Sequence, residues 1–179
     1  MKDFSQKMDN LARMLLPGGM TILLFIAFTL PRIGFAGMAN FPPHILAISI
    51  YYWTIFHPAS MPYWFLFLLG LLSDSLLAMP LGMTSLILIL FRLLVLSQQH
   101  SLVKESFLGI WAGFAICVVL MQSLQWLLTS FYSQDLLPIG PLAMQWVFTI
   151  GLYPLAHILF NMLYAYLPRL PKYGSNSYL

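Results

Sequence analysis

Residues 51–82 read YYWTIFHPASMPYWFLFLLGLLSDSLLAMPLG: two apolar runs broken by His57-Pro58, with a single acid, Asp74, inside the second run and Pro80-Leu81-Gly82 after it. A charged side chain at membrane depth costs about 2.5–3.5 kcal/mol on insertion scales, so it is kept where it faces protein, water or a partner. Composition identifies the solvent. Of 179 residues, 60% are hydrophobic and 7% charged, with mean hydropathy +0.84, against about 25% charged in a globular domain. The chain reads as an all-α integral membrane protein without a soluble domain.

Working outward, apolar runs and the turn residues between them give six candidate spans, at 15–35, 44–56, 62–79, 84–97, 107–131 and 142–167. A helix needs about 20 residues to cross the hydrocarbon, and shorter ones are accommodated by local thinning. The second to fourth are the shortest, and as hairpins they could cross or re-enter. Lys and Arg favour the cytoplasmic side of a membrane. With six spans and both termini inside, that side collects Lys2, Lys7, Arg13, Arg92, Lys104, Arg169 and Lys172, leaving Arg32 alone outside. The basic residues form no stripe, so the net charge of +3 reports orientation and gives no nucleic-acid footprint.

The division that follows is an N-terminal segment 1–14, a membrane domain 15–167 and a tail 168–179. In the first segment, Phe4, Met8, Leu11 and Leu15 recur at helical spacing, and Asp3/Lys7 and Asp9/Arg13 are acid-before-base pairs four apart. These favour an interfacial helix over a signal peptide, whose apolar core Pro17-Gly18-Gly19 would break. Tyr51, Tyr52, Trp53, Tyr63 and Trp64 are expected as aromatic anchors at the inner interface.

Asp74 has Gly70 and Ala78 four residues to either side, a small-residue face that admits another backbone. One reading makes it a packing, ion or proton site; the other has it reach interfacial water or cap the turn at Gly82. A two-aspartate protease needs a second carboxylate to share a proton, and neither Glu105 nor Asp135 lies within a span. Arg92 is offset from Asp74 across the hairpin by about four residues, roughly 6 Å. Reaching toward the interface near Ser97 is the simpler arrangement for it.

Gly109-Ile110-Trp111-Ala112-Gly113, extended by Cys117, is a helix-contact ridge that serves equally within one chain or between two. Pro154 frees the carbonyl of Ile150, with His157 and Asn161 one and two turns on, a pattern of kink plus local polar satisfaction. His44, His57 and His100 lie at span ends without metal-ligand spacing, and the lone Cys117 excludes an internal disulfide. No GxSxG, HExxH or P-loop occurs. The expected site therefore has no catalytic residue, metal or cofactor. Transport, channel formation and partner binding remain.

Pro43, Tyr52-Trp53, Pro58, Pro62, Gly70-Leu71-Leu72, Asp74 and Pro80-Leu81-Gly82, in that order, with Tyr153-Pro154 near the end, resemble the rod shape-determining MreD family. The resemblance extends over essentially the whole chain, and the YYW and PLG forms look like those of alphaproteobacterial members. It implies a non-enzymatic component of the bacterial inner membrane that supports lateral peptidoglycan synthesis. Its implied direct partner is the bitopic protein MreC, with MreB, RodA and penicillin-binding protein 2 in the same complex. It also implies a fold similar to the substrate-binding subunits of energy-coupling-factor vitamin transporters, which supplies the alternative function. Those subunits usually dock through an AxxxA face in their first span, and no two alanines here are four apart. On the family reading, Gly70, Asp74, Pro80 and Gly82 form a hairpin in a partner-binding bundle.

Overall fold

The computed structural model describes residues 17–27, 29, 44–77 and 79–166. The segment 1–14 expected at the interface, Ala78 and the tail 168–179 lie outside the described residues. Among those described there are six α-helices: α1 (Pro17–Ala27), α2 (Ile45–Phe56), α3 (Tyr63–Leu77), α4 (Met83–Leu102), α5 (Phe107–Ser133) and α6 (Ile139–Tyr166), with a 3-10 turn at Pro58–Ser60 between α2 and α3. Helices α4, α5 and α6 are long and apolar enough to cross a membrane, whereas α1, α2 and α3 are shorter.

Helix α2, apolar around its whole circumference, is the centre of the bundle. Every residue from Ile45 to Ile55 is buried, as expected for a helix without a polar face. It packs on α4 and α6, and its one internal serine is met by α1. The Thr21 hydroxyl donates to the Pro17 carbonyl at 2.7 Å, so the Ser49 hydroxyl, 2.6 Å away, donates to Thr21. At the other end, Gln99 of α4 donates to the Ile55 carbonyl at 3.0 Å, satisfying an acceptor in the last turn of α2. Pro58 then stops the helix.

The remaining helices wrap this core as consecutive hairpins, α3 with α4, α4 with α5 and α5 with α6. The α5–α6 turn begins at Gln134 in the left-handed region, φ 57°, and is held by Trp126, whose indole N–H donates to the Leu137 carbonyl at 3.3 Å. Outward-facing positions are apolar, among them Val147, Leu155 and Met162 on α6 and Leu108, Leu120 and Leu127 on α5. Exposed apolar surface on this scale fits a lipid surround, and polar groups are correspondingly turned inward.

The expected aromatic anchors are corrected here. Tyr52 and Trp53 are each 1% exposed and Tyr51 is buried with them; their rings pack against protein, not headgroups, because α2 is enclosed on every side. Tyr63 and Trp64, at the start of α3, do remain on the outside, 44% and 65% exposed. Helix α4 also runs past the expected end at Ser97 to Leu102, since Gln98, Gln99 and His100 continue the helix as a polar end.

Candidate functional site

The α3–α4 hairpin is built around one residue that permits close approach, Gly70, and one that fastens it, Asp74. A Cβ at Gly70 would lie 2.5 Å from the backbone nitrogen of Ser85, so the two helices meet at a distance only glycine allows. Ser85 uses the contact, its hydroxyl donating to the Phe67 carbonyl at 2.8 Å. One turn further along α3, Asp74 is 0% exposed. Its Oδ2 accepts the Gly82 N–H at 2.8 Å, and the Thr84 N–H lies 3.2 and 3.3 Å from its two oxygens.

Gly82 is the N-cap of α4, at φ 92°, a conformation suited to glycine, and has no side chain with which to cap. Asp74 supplies the missing cap from the preceding helix. Its charge faces the positive end of the α4 dipole and takes up N–H groups that would otherwise be orphaned. The main chain closes the same turn: the Met79 N–H donates to the Asp74 carbonyl at 3.0 Å, and Met83 to that of Pro80 at 3.2 Å. Gly70, Asp74, Pro80 and Gly82 thus come together in one hairpin. Of the two readings of Asp74, the cap at Gly82 is the one with the observed partners.

Arg92 does not meet Asp74. Its Nη2 donates to the Pro58 carbonyl at 2.9 Å, and the guanidinium carbon lies 4.2 Å from the centroid of the Tyr63 ring. The expected reach toward Ser97 is replaced by one toward the α2–α3 turn, where a carbonyl and an aromatic face both offer negative potential.

The ridge on α5 is used inside the chain. A Cβ on Gly113 would lie 2.7 Å from Leu102 and 3.0 Å from the Tyr51 hydroxyl, which donates to the Ile110 carbonyl at 2.8 Å. Cys117 is buried beside it. Gly109 instead faces the side chain of Glu105 just before the helix. Between the two glycines, Trp111 points its indole N–H at the Ile150 carbonyl, 3.1 Å away. That is the acceptor Pro154 leaves free within α6, so it is satisfied by a side chain of α5.

Tyr52 donates to Asn161 at 2.7 Å. The His157 ring is flanked by those of Tyr52, Phe56, Phe107 and Tyr153, with centroids 5.1–5.9 Å apart. A polar cluster the sequence did not single out joins the N-terminus of α2 to α5 and α6. The Thr149 hydroxyl accepts from the His44 N–H at 3.0 Å and from Gln122 at 3.3 Å, while the His44 ring is 3.1 Å from Gln125. Polar residues at 122, 125 and 149 within apolar spans were the available signal. Among the described residues no three of His, Cys, Asp or Glu converge as a metal site.

These arrangements define a helical membrane protein whose buried polar groups fasten helices to one another and to the ends of their neighbours. Residues 11–163 match the model of the MreD family, described as rod shape-determining protein MreD. The chain belongs to that family, and so to a class of membrane proteins that determine cell shape. No curated protein and no solved structure matches it.

Proposed function

We propose that this chain is a non-enzymatic inner-membrane component of the machinery that elongates rod-shaped bacterial cells. In this reading it binds MreC directly and, through the complex with MreB, RodA and penicillin-binding protein 2, supports lateral peptidoglycan synthesis. Six spans with both termini in the cytoplasm, arranged much as in the substrate-binding subunits of energy-coupling-factor transporters, form the membrane domain 15–167.

The observation that carries the reading is the family match over residues 11–163. The geometry of the hairpin supports a physical role for it in this reading. Asp74 is buried and bound to the first turn of α4, which supports a role in holding α3 against α4 over one in touching a partner directly. The outer face of that hairpin, with Phe67, Leu68, Leu72 and Leu86 exposed, is the surface whose shape this controls. A single membrane helix of MreC would dock against such a rigid apolar face by packing and shape, the forces that act between helices in lipid.

The test is copurification of MreC with the wild-type chain and with Asp74→Leu, combined with depletion in a rod-shaped host. Loss of MreC from the variant and rounding of depleted cells are expected. A folded wild-type protein that ignores MreC, or depleted rods whose growth is rescued by a vitamin, would sink the proposal.

A further inference from the structure

Arg92 is 7% exposed and carries a full charge with five N–H donors. One donor goes to the Pro58 carbonyl and the Tyr63 ring covers one face of the guanidinium; Nε is buried without a partner. None of the described acids serves it. Asp74 is committed to Gly82 and Thr84, Glu105 precedes α5 and Asp135 lies in the α5–α6 turn. A carbonyl and an aromatic quadrupole offset only part of the cost of desolvating a cation, so a compensating anion is called for.

The surroundings indicate where that anion comes from. Arg92 stands opposite the first turn of α3, where Tyr63 and Trp64 present amphipathic rings to the outside, as side chains at headgroup level do. With 15 residues, α3 is about 22 Å long, short of the roughly 30 Å hydrocarbon layer. Lipid beside it must thin, bringing headgroups toward Tyr63.

We infer that Arg92, with Tyr63 against its guanidinium, forms a phosphate site at the α2–α3 end of the bundle, occupied by the headgroup of an anionic phospholipid. The guanidinium fork matches two phosphate oxygens, a geometry a lysine ammonium does not reproduce. By the distribution of basic residues this is the cytoplasmic leaflet. The site does not depend on which protein the bundle binds.

The test uses the full chain in detergent, following lipid retention by native mass spectrometry and unfolding temperature. Probes are phosphatidylglycerol, diacylglycerol with the same chains, and inorganic phosphate. Phosphatidylglycerol should be retained and raise the unfolding temperature, and diacylglycerol should do neither. Arg92→Gln should weaken phosphatidylglycerol retention about tenfold, the scale of one charge-assisted hydrogen bond, and Arg92→Lys should recover part of it. Should Arg92→Gln fail to fold, the wild-type comparison of the two lipids decides alone. Equal retention of phosphatidylglycerol and diacylglycerol, or undiminished retention by a folded Arg92→Gln protein, would overturn the site. Stabilisation matched by inorganic phosphate would support a phosphate site and remove the lipid as its source. Loss of a protein partner from Arg92→Gln with lipid retention unchanged would overturn the inference in favour of a partner carboxylate.

Discussion

At Asp74 the cost of burying a carboxylate is met by backbone donors, which makes its removal expensive in a particular order. Asp74→Ala leaves the part-buried N–H of Gly82 and the buried N–H of Thr84 without their acceptor, at about 1–3 kcal/mol for a buried group left unpaired and less for the part-buried one. Asp74→Asn keeps one oxygen in place but loses the charge that faces the α4 dipole, so it should fall between alanine and wild type. Thermal unfolding in detergent reads this ranking; an asparagine variant no better than alanine would show that geometry at this site is not that of a cap. The sequence offered Gly82 as a partner for Asp74 because a turn eight residues on was visible. Thr84 was not visible, since which N–H turns toward the carboxylate depends on the left-handed φ of Gly82. Tyr52 and Trp53 show the opposite limit. An amphipathic ring at the edge of an apolar run has the same sequence signature whether it meets headgroups or, as here, Asn161 and Phe160.

Between elements, the pairing of Trp111 with Ile150 ties the GxxxG ridge of α5 to the proline of α6. Trp111→Phe should cost about 1 kcal/mol beyond packing, because the Ile150 carbonyl then has neither an indole nor a backbone N–H to accept. Pro154→Ala restores the helical donor, so the double variant should lose less than the sum of the two single changes. A double-mutant cycle on unfolding free energy measures that coupling, and strict additivity would disprove it. The hairpin makes a second prediction. Gly70→Ala drives a Cβ into the Ser85 backbone and should cost about 1–3 kcal/mol or more as overpacking. Gly109→Ala meets a Glu105 side chain that can rotate away, and should be nearly neutral. All six helices were legible as apolar runs, since Pro, Gly and charge punctuate them, and of the small residues four apart Gly70 and Gly113 meet other helices while Gly109 faces Glu105. Which neighbour fills each face was not, because GxxxG states only that something comes close.

For the whole molecule, α2 and α3, with 12 and 15 residues, stand beside three helices long enough to cross, and whether this pair crosses or re-enters changes the chemistry at the loops. If α1, α2 and α3 all cross, Ala59 in the α2–α3 turn lies on the same side as Lys104, with Leu81 and Asp135 on the other. If α2 and α3 form a re-entrant hairpin instead, Ala59 sits at depth. All four positions are exposed, whereas the native Cys117 is buried and should stay silent in the folded protein. Single cysteines at 59, 81, 104 and 135 can therefore be labelled with an impermeant thiol reagent in inverted and right-side-out vesicles. The expected result is labelling at 59 and 104 from the cytoplasmic side and at 81 and 135 from the other. Protection of position 59 from both sides would reject six full crossings. Labelling of 81 and 104 from one side would reject the hairpin order itself. The expectation rests on a physical economy: in hydrocarbon, irregular backbone is tolerated only where protein or water meets its polar groups. Here Arg92 is placed on the Pro58 carbonyl of the α2–α3 turn and Gln99 on the Ile55 carbonyl in the last turn of α2, an arrangement suited to a loop drawn toward a thinned interface.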